Sequence, residues 1–94
     1  MNHDNAVFVD IRSQAVYEQG HIPGAISAAS DNIQQAVKQL GKHKADLYVL
    51  YCQQGFHAQK MAQTLKEQDI SNLAVLQGGF DQWRNDGLPV EKKR

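Results

Sequence analysis

The chain has one cysteine, so no disulfide can form within it. That excludes the stapled frameworks of small secreted domains and fits a reducing compartment, with the cytoplasm as the expected location. Charge of neither sign is in excess: Lys and Arg number 10, and Asp and Glu number 10. The bulk attraction that nucleic-acid binders draw on is missing, and no nucleic-acid partner is expected. No apolar run comes near the roughly 20 residues that a membrane-spanning helix needs. No signal peptide is read at the start, so no membrane partner is expected either. Basic residues cluster only at Lys92-Lys93-Arg94, which reads as a solvated end. His3, His21, His43 and His57 lack the spacing of metal ligands, and one cysteine cannot complete a zinc site. Neither a metal nor a cofactor is expected. At 94 residues there is room for one small domain and no second core.

What the sequence does have is a short apolar run that reaches the cysteine. Leu47-Tyr48-Val49-Leu50-Tyr51-Cys52 is followed by the polar, glycine-containing loop Gln53-Gln54-Gly55-Phe56-His57-Ala58. From there Ala58, Met61, Ala62 and Leu65 recur at helical spacing. The order is a buried strand, a tight loop and a helix start, with the thiol at the turn. A thiol so placed faces backbone N–H groups and the positive end of a helix dipole, and both favour the thiolate. The thiolate is the nucleophilic form. Cys52 is therefore a candidate reactive cysteine. The competing reading is a structural thiol buried at a strand end.

The rest of the chain repeats the alternation. Ala6-Val7-Phe8-Val9 reads as a buried strand ending at Asp10-Ile11-Arg12. Ser13 caps a short helix through Val16 and Tyr17, and Gly20 is expected to close it in the left-handed conformation. His21-Ile22-Pro23-Gly24-Ala25 is a turn, with His21 as a stabilising donor inside it, and Ile26 resumes an extended segment. Asp31 is the expected N-cap of the next helix, with Gln34 as its capping-box partner. Ile33, Val37 and Leu40 form the apolar stripe, and Gly41 is expected to end that helix. Lys42-His43-Lys44-Ala45-Asp46 is read as a polar connection. Leu73-Ala74-Val75-Leu76 reads as a further buried strand, broken at Gln77-Gly78-Gly79. Phe80 and Trp83 pack a last helix on the core; Gly87 stops it and Pro89 prevents its continuation.

Short, wholly apolar strands alternating with helices predict an α/β domain: a central parallel sheet flanked by helices on both faces. Ligands of such sheets bind outside the carboxyl ends of the strands. Asp10 to Arg12, the Cys52 loop and Gly78-Gly79 all follow strand ends, so they should gather on one edge. Gly78 and Gly79 are expected to let the chain pass close to the Cys52 loop.

Val9-Asp10-Ile11-Arg12, Gly20-His21-Ile22-Pro23-Gly24-Ala25 and Gly78-Gly79-Phe80-Asp81-Gln82-Trp83 together resemble the two signature regions of the rhodanese family. Between them stands a single cysteine at a strand end with that family's loop length, and Gly87-Leu88-Pro89-Val90 matches the usual ending. The resemblance implies a sulfurtransferase. Cys52 would take a sulfane sulfur from a small donor such as thiosulfate or a persulfide. It would hold the sulfur as a persulfide and pass it to a thiol acceptor or a partner protein. The backbone N–H groups of Gln53, Gln54, Gly55, Phe56, His57 and Ala58 would line the cradle around the terminal sulfur. Asp10 and Arg12 would support the site as an ion pair.

This sequence departs from the family pattern in three places. Gln53 stands where many active members carry a basic residue, and Phe56-His57-Ala58 occupies the stretch where Arg or Lys is frequent. With no permanent charge in the loop, weak thiosulfate activity is expected; a neutral or protein-bound persulfide fits better. Val16 replaces a glutamate that commonly pairs with the arginine, leaving Arg12 to pair with Asp10 or another acid. The strand and helix that usually precede the first signature are also expected to be lacking in residues 1–94. The same loop shape serves cysteine phosphatases, but those need an arginine at the loop's far end to clamp phosphate. Ala58 and Gln59 stand there, which argues against phosphatase chemistry. The alternative from another class is a non-catalytic rhodanese-like module that binds a protein partner.

Overall fold

A computed structural model describes residues 6–43 and 45–92. Residues 1–5, Lys44 and the Lys93-Arg94 part of the basic end lie outside the described residues. In chain order the elements are β1 (Ala6–Asp10), α1 (Gln14–Gln19), β2 (Ile26–Ser27), α2 (Ile33–His43), β3 (Leu47–Tyr51), α3 (Phe56–Glu67), β4 (Leu73–Val75) and α4 (Gly79–Asn85). The strands form one four-stranded sheet in the order β2-β1-β3-β4, and every neighbouring pair is parallel. This is the expected α/β domain. No helix among the described residues is long and apolar enough to cross a membrane.

The period-2 alternation of the strands divides the core in two. Val7 and Val9 of β1, Tyr48 and Leu50 of β3, and Leu73 and Val75 of β4 face α2 and α3. There they meet Ala36, Leu40, Ala58, Met61 and Leu65. Phe8, Tyr51 and Leu76 face the other way, onto Tyr17 of α1 and Phe80 and Trp83 of α4. Each face is thus covered by one pair of helices, which is why β1 and β3 are apolar throughout. The last strand is less buried than its sequence suggests. It is three residues long, lies at a sheet edge, and each of its side chains stays partly exposed.

Ser13 caps α1 as expected, its Oγ accepting from the Val16 N–H. Three local expectations are corrected. Gly20 does follow α1, but its backbone is extended (φ 166°) rather than left-handed. The adjoining His21 pairs with Glu91 through two backbone hydrogen bonds of 2.8 Å, and that bridge draws the chain straight. The cap of α2 is Asn32, whose Oδ1 accepts from the Gln35 N–H at 3.1 Å, and not Asp31. Gly41 lies inside α2, which continues to His43. The helix outlasts its glycine because Tyr48 of β3 serves its end: the hydroxyl donates to the Leu40 carbonyl and accepts from the Ala45 N–H. His21 is inside the fold as expected. It is buried, stacked on Tyr17, with Nδ1 2.8 Å from the Tyr17 carbonyl; that contact places a donor N–H on the end of α1.

Candidate functional site

All three segments singled out for strand ends do lie on one edge of the sheet. Asp10 ends β1, Cys52 follows β3, and Gly78-Gly79 follows β4. The ladder runs one step beyond the strands, with Ile11 N–H donating to Tyr51 O and Leu76 N–H to Leu50 O. Cys52 is therefore fixed by sheet geometry up to its own α-carbon.

Beyond it the loop turns sharply into α3. Gly55 precedes the helix at φ 106°, a conformation that side chains with a Cβ resist. The turn brings the Gly55 N–H to 3.0 Å from Cys52 Sγ. Of the expected cradle from Gln53 to Ala58, this is the N–H that donates to the sulfur. Sulfur and donor sit at the start of a 12-residue helix with no acidic residue in its first turn, so its dipole adds positive potential there. Cys52 is only 3% exposed.

The loop is held from below by α4. The Phe80 and Asp81 N–H groups, which have no partner within their own helix, donate to the Cys52 and Gln53 carbonyls at 2.9 and 3.0 Å. Such close docking needs a residue without a Cβ. At Gly79 (φ 61°) a Cβ would lie 2.5 Å from Cys52 O and 2.7 Å from Gln53 O. Both glycines pass the Cys52 loop, the Gly78 nitrogen lying 3.5 Å from where a Gly55 Cβ would stand, but it is Gly79 whose missing Cβ makes room for the loop carbonyls. A Cβ on Gly78 would meet Gln82 of its own helix instead.

Asp10 and Arg12 form the expected ion pair. Asp10 is fully buried, and Arg12 Nε lies 2.9 and 3.1 Å from its two oxygens, with Nη2 at 2.5 Å from Oδ2. Burial lowers the Arg12 pKa, but the hydrogen bond and charge of Asp10 outweigh it, so the net shift is upward. The guanidinium stacks 4.3 Å above Phe80 and donates to Gly20 O. Its Nη1 donates to Gln53 Oε1 at 3.1 Å, while Gln53 Nε2 donates to Asp81 Oδ1. Gln53 thereby ties the Cys52 loop to β1 on one side and α4 on the other. Sequence reasoning missed this tie, since nothing local links position 53 to positions 12 and 81. Behind the pair, burial and the Asp10 charge raise the Tyr51 hydroxyl pKa above the usual tyrosine range.

A cavity of about 380 Å³ opens over the thiol. Cys52, Gln53, Arg12 and His57 line it. A smaller one of about 100 Å³ adds Gln54 and Phe56, whose ring is 74% exposed. Ala58 takes no part in either: it is fully buried and packs α3 on the sheet. Ile11, Ser13 and Val16 also line the larger cavity, and it is completed by Ala29, Ser30 and Asp31, which were not foreseen. They follow β2, so the rule that ligands gather at strand carboxyl ends would have pointed to them had β2 been read as a strand. Among the described residues no three His, Cys, Asp or Glu side chains stand together as metal ligands.

The rhodanese-like domain family model matches residues 1–86. The tRNA uridine(34) hydroxylase of Enterobacter sp. (strain 638) is 28% identical over 98 residues, a match covering 96% of this chain and 28% of that protein. The chain therefore spans just over a quarter of the length of that relative. A thiosulfate sulfurtransferase from Pseudomonas aeruginosa superposes with a TM-score of 0.81 at 29% identity, over 95% of this chain and 17% of its own. A protein of unknown function from Rhodopseudomonas palustris CGA009, described as a possible tyrosine phosphatase, superposes at 0.79 with 27% identity, over 94% and 72%. Sequence match, sheet order and the strand-end cysteine agree that this chain belongs to the rhodanese-like domain family.

Proposed function

We propose that this domain is a sulfurtransferase in which Cys52 carries sulfane sulfur as a persulfide. The observation that carries the reading is the Gly55 N–H aimed at Cys52 Sγ at the head of α3. A donor and a helix dipole at that point stabilise negative charge on a terminal sulfur carried there. In the loading step the Cys52 thiolate attacks the outer sulfur of a donor persulfide, the donor's S–S bond breaks, and the donor leaves as a thiolate. In the unloading step an acceptor thiolate attacks the terminal sulfur and Cys52 departs as a thiolate. Each step makes one S–S bond and breaks one, so no oxidant or reductant is needed.

Donor preference follows from the charges at hand. The loop contains no Lys or Arg, and Arg12 is already engaged by Asp10. A dianion such as thiosulfate forgoes charge-assisted hydrogen bonds worth about 1.5–3 kcal/mol each. We therefore assign weak thiosulfate activity and a persulfide donor, with a thiol or a partner protein as acceptor. Phosphate chemistry lacks its clamp, since Ala58 and Gln59 stand where the arginine is needed.

A second reading, a protein-docking module without turnover, is favoured by the bare Phe56 ring beside Cys52 and by the length of the hydroxylase relative, of which this chain matches 28%. Intact mass after incubation with thiosulfate and with a polysulfide separates the two. The sulfurtransferase gains one sulfur atom, most readily from the polysulfide, and Cys52→Ser gains none. A protein that gains no mass from either donor, and whose thiol resists alkylation, is the docking module.

A further inference from the structure

The cavity over Cys52 limits what can approach it. Among the described residues Arg12 is the one arginine or lysine in its lining, and its charge is already answered. Nε and Nη2 are on Asp10, Nη2 also meets Gly20 O, Nη1 meets Gln53, and the side chain is 8% exposed. Asp31 lines the same cavity, is exposed, and takes part in no ion pair among the described residues. Lys60 is displaced into an adjoining cavity, beyond Ser30 and His57. With a persulfide anion on Cys52, Arg12 and Asp10 cancel, and the sulfur and Asp31 leave the cavity negative.

We propose that this cavity selects positively charged small thiols as sulfur acceptors, the aminothiol class, with Asp31 as the residue that determines the preference; this rests on the sulfur-carrier reading above. The volume of about 380 Å³ suits a small molecule. Ile11, Val16 and Ala29 offer apolar surface to the methylenes between thiol and amine. Asp31, Ser13 and Ser30 offer oxygens to the donors of an ammonium. The acceptor thiolate attacks the terminal sulfur, Cys52 leaves as a thiolate, and the acceptor departs as its persulfide; its amine takes no part in the bond changes. An anionic acceptor meets both the persulfide and Asp31 and is turned away.

Charge selection can be read without any sulfur transfer. Cys52 is modified with methanethiosulfonates bearing a trimethylammonium, a hydroxyl or a sulfonate group, and each rate is divided by that of a free cysteine peptide. The expected cation-over-anion ratio is about tenfold at low salt, shrinking as salt is added. Asp31→Asn should cut it by about threefold or more. A ratio near one, an anion preference lost in Lys60→Ala, or a cation preference unchanged in Asp31→Asn overturns the proposal. The persulfide-loaded protein is then offered cysteamine, mercaptoethanol and mercaptopropionate, with rates compared per thiolate. Cysteamine should be fastest, and equal rates overturn the proposal. Failure to load any sulfur overturns the carrier reading instead, and the modification rates still decide the charge of the cavity.

Discussion

Replacing Gly79 with alanine should be far more damaging than the same change at Gly24. Both glycines have positive φ, 61° and 82°. Holding an alanine in the left-handed region costs about 1–2 kcal/mol at either site. Only at Gly79 does the new Cβ also strike backbone. It would lie 2.5 Å from Cys52 O, 2.7 Å from Gln53 O and 2.8 Å from Gln53 C, whereas at Gly24 nothing lies within 4 Å. Those carbonyls accept from Phe80 and Asp81, so they cannot retreat without breaking the bonds that dock the loop on α4. Forced shifts of this kind cost about 1–3 kcal/mol, which brings Gly79→Ala to about 2–5 kcal/mol. A domain of this size has about 5–15 kcal/mol in all, so the loss is a large part of it. Urea unfolding gives the difference from the midpoints, provided the slopes agree. Cys52 alkylation by a neutral reagent should also change in Gly79→Ala, because the loop must move, and stay constant in Gly24→Ala. Equal destabilisation of the two variants, with no change at the thiol, would show that the close approach does not hold the loop.

Other perturbations test neighbouring parts of the site. Arg12→Ala strands the fully buried Asp10 without its cation and should cost about 3–5 kcal/mol in urea unfolding; a loss under about 1 kcal/mol would contradict the buried-pair account. Tyr51 holds its proton more tightly folded than unfolded, so its contribution is complete below about pH 10 and declines as the pH rises past it. Tyr51→Phe should therefore flatten the alkaline fall of the urea midpoint, and an unchanged slope would refute that assignment. His57→Arg adds a charge to both cavities at a side chain that makes no hydrogen bond or ion pair among the described residues, and should raise thiosulfate turnover. Gln53→Arg should raise it less, because it gives up the bond from Arg12 and leaves the new cation beside Asp81. The reverse order would mean that the Gln53 tie does not matter.

The fold was legible where hydrophobic period alone decides structure. The strands β1 and β3 and the helix α3 follow from wholly apolar runs and a clean Ala58, Met61, Leu65 stripe, and the family motifs fix their order. Illegible features depend on residues far apart in the chain. Gly41 reads as a helix stop until Tyr48 arrives from β3 to take up the Leu40 carbonyl. Gly20 reads as a left-handed closure until the adjoining His21 pairs with Glu91, 70 positions beyond His21. Asp31 and Asn32 are adjacent and equally suited to cap a helix, and the packing of Ile33 against the core places the cap at Asn32. That displacement leaves Asp31 free to line the cavity over the cysteine. At the site, Cys52 and the Asp10–Arg12 pair were legible because they sit at strand ends. The Gln53 bridge and the walls from Ala29 to Asp31 were not, because two-residue β2 carries too little pattern to be read as a strand.

The central claim is that Cys52 carries sulfur between two partners, and a single-turnover chase tests it most directly. The protein is loaded with polysulfide, freed of donor by desalting, and mixed with a thiol. The account predicts that the extra sulfur leaves Cys52 and appears on the acceptor in equal amount, and that Cys52→Ser delivers none. Sulfur that never loads, stays on the protein, or reaches the acceptor equally well through Cys52→Ser would contradict it.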